Sequence, residues 1–300
     1  MAEVTSGIIL APSPVRTRIA RRAWQLRRLP LIPILILSLF VISGLTAPLL
    51  APHNPERGNI RDRLIPPAWV EGGSTEYLLG TDHLGRDLLS RVIYGARISL
   101  VVVAVTLGIG GTIGVVLGLV SGYYGGWIEE LIMRLVDIKL AIPTILLALV
   151  LVLALGQSFL IIVVILAIAI WPRFARNTRG EVLQLKTMDY VALAKVSGAS
   201  TPRILFKHIF PGVVNTLIIL ATLEVGIVIL LESTLSFLGA GVPPPTPAWG
   251  SMVADGRDRL AVAWWISTMP GLAIMLVVLS MNIFGDWLRD KLDPRLRQLE

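Results

Sequence analysis

Long apolar runs, parted by short polar stretches, set the pattern of this chain. Runs at Leu29–Leu50, about Ser99–Val120 and Met133–Gly156 each reach the ~20 residues that cross a bilayer core. A break at Gly156-Gln157-Ser158 leads to a fourth, Phe159–Trp171, extending toward Phe174. A fifth covers about Gly212–Leu231 and a sixth residues 264–285. The pattern predicts an all-α, polytopic membrane protein with six transmembrane helices.

The polar segments give the organisation. Residues 1–28, an unpatterned segment over 1–15 followed by Arg16, Arg18, Arg21, Arg22, Arg27 and Arg28, are read as a cytoplasmic tail before a first helix over 29–50. An Arg-rich start before an apolar run also describes a signal peptide, but the run is long and more spans follow it. Residues 51–97 hold six Arg and six acidic residues, a neutral balance that suits the external side, where the positive-inside bias does not act. Near its end Leu84, Leu88, Val92 and Ala96 oppose Arg86, Asp87, Ser90 and Arg97, the period of an amphipathic helix lying in the interface. A core over 98–286 follows, and residues 287–300, with Arg289, Lys291, Arg295 and Arg297, form a cytoplasmic C-terminal tail.

Residues 173–211 are the long polar stretch of the core, with seven Lys/Arg against Glu181 and Asp189. Good helix formers run up to Gly198; Ser200 or Thr201 then caps a new helix with Pro202 in its first turn. A helix–Gly–helix elbow between two spans is a rigid lever on one face of the bilayer. Elsewhere, Gly110, Gly114, Gly118 and Gly122 recur every four residues, a smooth stripe on which another helix packs closely. Arg134 and Asp137 are three apart and can pair on one helix face, and Pro143 permits a kink in the third span. Glu224 lies inside the fifth span and Glu232 at its outer end. An ionisable residue at that depth faces the translocation path, contacts a cationic peptide terminus, or pairs within the bundle. The Pro- and Gly-rich residues 238–256 read as a fixed external turn rather than a helix.

The elbow resembles the cytoplasmic loop of ABC-importer permeases: Glu-Ala-Ala, three residues, Gly, nine residues, then an apolar pair ending in Pro. Ala192, Leu193 and Ala194 hold the first three places, with Ala for Glu and Leu for Ala as departures. Gly198 is the Gly, and His208-Ile209-Phe210-Pro211 closes the motif. The flanking Asp189-Tyr190-Val191 and Gly198-Ala199-Ser200 look like the peptide-importer branch. So do Gly80-Thr81-Asp82 with Gly85-Arg86-Asp87, the Arg-x-x-Asp…Ala-x-Pro pattern from Arg134 to Pro143, Glu232 near an external gate, and the string around Pro243–Gly250. The chain is thus similar to the C-type permeases of the dipeptide/oligopeptide family from Arg16 onward, and most like the dipeptide permeases. That resemblance implies a type I importer fold, a bacterial inner-membrane location with both termini cytoplasmic, and a B-type permease partner. It also implies two cytoplasmic ATPases that use ATP and Mg, and an external substrate-binding protein. Val191 and Leu193 would dock into an ATPase, with Lys195 or Arg203 adding polar contacts. Asp137, Pro143, Glu224 and Glu232 are the path or gate candidates.

Composition narrows the alternatives. At 300 residues, 54% hydrophobic and 16% charged, the chain is too apolar for a soluble domain of its size. The formal charge of +7 is spread over short loops beside apolar runs, so lipid headgroups explain it better than nucleic acid. Without Cys there is no disulfide framework or thiolate metal site. Asp82, His83 and Asp87 suggest a metal site, but Arg86 and Arg91 beside them favour ion pairing. No Gly-rich loop precedes Lys186-Thr187, so the chain is not expected to bind ATP itself. A membrane-embedded enzyme would need paired catalytic residues at one depth, and Glu224 has no evident partner. An ion-coupled carrier would need internal repeats or several intramembrane charges. The expectation is a permease with no catalytic residue, metal or bound cofactor, carrying di- or short peptides, with oligopeptide, glutathione or nickel cargo as alternatives.

Overall fold

Helix α1 (Leu31–Leu50) follows Pro30 in a computed structural model that describes residues 29–292. The expected N-terminal tail 1–28 and residues 293–300 of the expected C-terminal tail lie outside the described residues. After a looped segment comes α2 (Leu88–Tyr124), helical throughout with a π-helical turn at Leu107–Gly111. The Asp87 carboxylate accepts from the Ser90 backbone N–H at 2.9 Å and fixes where α2 starts. Residues 88–97 are therefore the first turns of α2 rather than a separate interfacial helix. Ahead of them, Gly80 and Gly85 adopt positive φ and hold the chain in turns.

Gly125 and Gly126, at φ +67° and +57°, reverse the chain into α3 (Gly126–Ala141). The third span is broken, not merely kinked: α3 and α4 (Thr144–Leu155) meet at 87°. Proline supplies the reason. It disfavours the helical region for the residue before it, and Ile142 sits extended at ψ 123°. Ser158 then caps α5 (Phe159–Leu185), its hydroxyl accepting from the Ile161 N–H at 3.2 Å. Residues 173–185 of the expected polar loop are therefore the last turns of a span. The short α6 (Asp189–Val196) leads through Gly198 to α7 (Thr201–Phe237), which contains a π-helical stretch at Ile204–Ile209.

Residues 249–256, expected within the turn over 238–256, belong to helix α8 (Trp249–Arg257). Its two glycines serve close packing rather than turning. A Cβ on Gly250 would collide with the Ser233 carbonyl oxygen, and one on Gly256 would lie 2.7 Å from the Ser267 nitrogen. The one-turn α9 (Leu260–Ala263) and the long α10 (Trp265–Leu292) complete the described chain. Among the described residues, five helices (α1, α2, α5, α7 and α10) are long and apolar enough to cross a membrane, and the bent α3–α4 pair makes six if it is one span.

The glycine stripe of α2 lies along α5. A Cβ on Gly110 would meet Ala167 and Ile170, one on Gly114 would meet Phe174, one on Gly118 would meet Thr178, and one on Gly122 would meet Val182. The two helices thus run parallel, which requires the intervening α3 and α4 to carry the chain back. α7 returns antiparallel to α5, with Thr216 bonded to Glu181 near one end and Gln157 to the Gly239 carbonyl near the other. Core side chains from α2, α5, α7, α8 and α10, among them Val102, Leu166, Ile229, Met252 and Ile266, form one cluster. A second cluster, at the other end, holds the α6 elbow.

Candidate functional site

The elbow is built against the ends of α2 and α5. Val191 is fully buried and Ala194 nearly so, packed with Leu119, Val182, Ile204 and Ile209. Val191 is thus an internal anchor, not a docking residue, because its side of α6 faces the chain's own core. The opposite face is free: Leu193 is 66% exposed, Val196 87% and Phe206 61%, with Tyr190 beside them. Asp189, Ala192, Lys195 and Arg203 are exposed too, and Ala199 and His208 are half-buried. Gly198 has φ +77° and passes the chain between α6 and α7. Ser200 stands at the cap position of α7, but its side chain makes no capping hydrogen bond. Pro211 lies in the first turns after the π-helical stretch. Lys186 donates to the Gly122 carbonyl at 2.7 Å, Arg179 pairs with Glu129, and Lys195 lies 5.2 Å over the Tyr123 ring. These contacts fasten the elbow to the last glycine of the α2 stripe.

Halfway along α7, Glu224 is buried and has a partner: Arg173 Nη1 donates to both its carboxylate oxygens, at 3.0 and 3.2 Å. Lys139, also buried, donates to the Ala169 carbonyl at 2.9 Å and the Thr144 hydroxyl at 3.2 Å. Lys139 and Arg173 line one small cavity of about 190 Å³ beside Pro143 at the α3–α4 break. Below it, a cavity of about 690 Å³ opens between α5, α7 and α10, lined by polar residues including Asn177, Glu181, Asn215, Thr216 and Arg289. Arg173 was not singled out by the sequence, where it reads as the first residue of a basic loop. The usable signal was the run of good helix formers after it, which carries α5 past it.

Other expected residues fall elsewhere. Asp137 pairs with Arg176 on α5, and Arg134 with Glu130 at i−4, so Arg134 and Asp137 do not pair with each other. A Glu one turn back lies closer to Arg134, and α5 offers Asp137 a cation. Glu232 is fully buried, with the Ser236 hydroxyl donating to it at 2.7 Å. At that same end Asp82 takes bonds from the Leu84 and Arg86 N–H groups and from Arg86 Nε at 2.6 Å, with Arg91 3.4 Å away. Arg86 and Arg91 also reach Asp255 of α8. Asp87 holds Ser90 and lies 3.5 Å from His53. Asp82 and Asp87 are therefore engaged by cations, a hydroxyl and backbone N–H groups.

Comparison with known proteins places this architecture. The model of a binding-protein-dependent transport system inner membrane component matches residues 114–298. The di/tripeptide transport system permease protein DppC of Pseudomonas aeruginosa is 45% identical over 88% of this chain and 87% of its own length. The dipeptide transport system permease protein DppC of Escherichia coli K12 is 44% identical over 83% of both chains. The glutathione transport system permease protein GsiD of Pectobacterium atrosepticum is 41% identical over 88% of this chain and 86% of its own. With spans, elbow and matched residues in agreement, the chain belongs to the inner-membrane permease components of binding-protein-dependent ABC transport systems.

Proposed function

We propose that this chain forms half of a translocation path for di- and short peptides in a bacterial inner membrane. A second, B-type permease would supply the other half, two cytoplasmic ATPases the ATP and Mg chemistry, and an external binding protein the peptide. Both termini and the elbow would then lie in the cytoplasm. The observation that carries this reading is the elbow's division of labour. Val191 and Ala194 lock it to the chain, while Tyr190, Leu193, Val196 and Phe206 leave an apolar face uncovered. An exposed apolar face rimmed by polar residues marks a protein interaction site. Closure of an ATPase pair on ATP would push this face, and the elbow's anchors would pass the motion to α2 and α5.

The dipeptide permeases of Pseudomonas aeruginosa and Escherichia coli support a peptide cargo. The glutathione permease relative favours glutathione, itself a short peptide, as the second reading. The test is to tag the chain at its C-terminus, purify it gently from native membranes and identify what accompanies it. A second permease and two ATPases are expected with the wild type. Gly198→Pro, which forces φ to about −65° at a position that needs a positive value, is expected to lose the ATPases. A chain that purifies alone and still transports would sink the reading.

A further inference from the structure

The charges gathered halfway along the spans do not balance. Lys139 and Arg173 bring two cations to the α3–α4 break, and Glu224 brings one anion. Lys139 and Glu224 are buried, whereas the Arg173 side chain is 45% exposed. Only Nη1 of its guanidinium is engaged by Glu224; among the described residues no partner is recorded for Nε or Nη2. A guanidinium carries five N–H donors in a planar fork that matches a carboxylate. At membrane depth a half-exposed Arg is too costly to leave against lipid, so it faces water or protein. The cavities agree. Arg173 lines the small one beside Pro143, and Asn177, one turn further along α5 with its side chain bonded to the Arg173 carbonyl, lines the large one open below.

Resting on the peptide-permease reading, we propose that Arg173, oriented by Glu224 and backed by Lys139, binds the C-terminal carboxylate of the peptide as it passes through this chain. The direction is opposite to the simplest use of a buried Glu, which would attract the peptide's amino terminus. Glu224 is already paired with Arg173 through Nη1; the donors left over are on the cation. Glu224 therefore positions the guanidinium and competes with the ligand for it. One consequence sets this apart from an ion pair that only holds α5 to α7. Removing either member would harm a structural pair, but here the two removals act in opposite directions.

The test uses the transporter complex purified with its partners but without the binding protein, so that only the membrane site is read. Radiolabelled Ala-Ala is bound at equilibrium and displaced by N-acetyl-Ala-Ala, which keeps the carboxylate, or by Ala-Ala-amide, which lacks it. N-acetyl-Ala-Ala is expected to displace the label and the amide to fail. Arg173→Gln is expected to weaken binding about tenfold, the scale of a lost charge-assisted hydrogen bond, and Arg173→Lys to restore part of it. Glu224→Gln, whose amide oxygen still accepts from Nη1 while the competing charge is gone, is expected to tighten binding while the complex stays assembled. Equal displacement by the two competitors, or a loss of binding from Glu224→Gln in an assembled complex, would overturn the site and leave the permease reading standing. No binding of Ala-Ala by an intact wild-type complex would overturn the peptide cargo and this site together.

Discussion

Gly95 shows how much one hydrogen atom decides here. A Cβ at this position would lie 2.6 Å from Trp249 Nε1, the atom that donates to the Val92 carbonyl at 2.9 Å. The indole is also fixed from its other side, where its ring lies 5.7 Å from that of Phe40. Gly95→Ala therefore has to displace a ring that α1, α2 and α8 share, and overpacking of this kind costs about 1–3 kcal/mol. A melting temperature in detergent below the wild type, with Trp249 emission shifted, is the expected result; an unchanged melt would show that the ring gives way freely. Such residues are poorly legible in sequence. Nothing local to Gly95 points to Trp249, 154 positions further along the chain. Glu224 and Arg173 behave likewise: both are conspicuous charges, but 51 residues separate them, and periodicity reports only which face a residue shares with its own helix.

At the scale of elements, the glycine stripe was legible while its partner was not. A four-residue spacing states that α2 has a smooth face; only the fold assigns α5 to it. Two glycines two positions apart should behave differently as a result. A Cβ on Gly110 would stand 2.8 Å from the Ala167 carbonyl oxygen, a backbone atom with little room to move, whereas one on Gly108 would meet nothing within 4 Å. Gly110→Ala is expected to lower the thermal stability of the purified chain by about 1–3 kcal/mol, and Gly108→Ala to be neutral or stabilising because Ala is the better helix former. Equal effects would deny the stripe its packing role. The breaks were half legible. Pro143 announces a disturbance, but the choice between a kink and an 87° turn depends on Ile142 going extended and on Lys139 reaching across to Ala169. Residues 249–256 were read as turn because proline and glycine usually punctuate; here Gly250 and Gly256 admit the backbones of α7 and α10 instead.

For the whole molecule, both ends are fastened to one helix. With 37 residues at ~1.5 Å each, α2 spans about 55 Å. At its start, Trp265 Nε1 donates to the Thr81 carbonyl at 3.0 Å, and Arg86 and Arg91 join Asp82 to Asp255, so the looped segment is clamped to α8 and α10. At its finish, Lys186 and Gly122 clamp the elbow. The two ends also differ in net charge, neutral over 51–97 and strongly basic over 173–211, and the proposed orientation has the elbow in the cytoplasm. Because the chain contains no Cys, a single introduced thiol reports sidedness without background. Glu76→Cys, exposed in the loop, is expected to react with a membrane-impermeant maleimide in intact spheroplasts. Val196→Cys, 87% exposed on the elbow, is expected to react only after permeabilisation. Its labelling should then rise further in combination with Gly198→Pro, since the proposed ATPase would shield Val196 and a misfolded elbow would not hold it. Labelling of Val196→Cys from outside would invert the orientation. Full labelling after permeabilisation with Gly198 intact would mean that no partner covers this face.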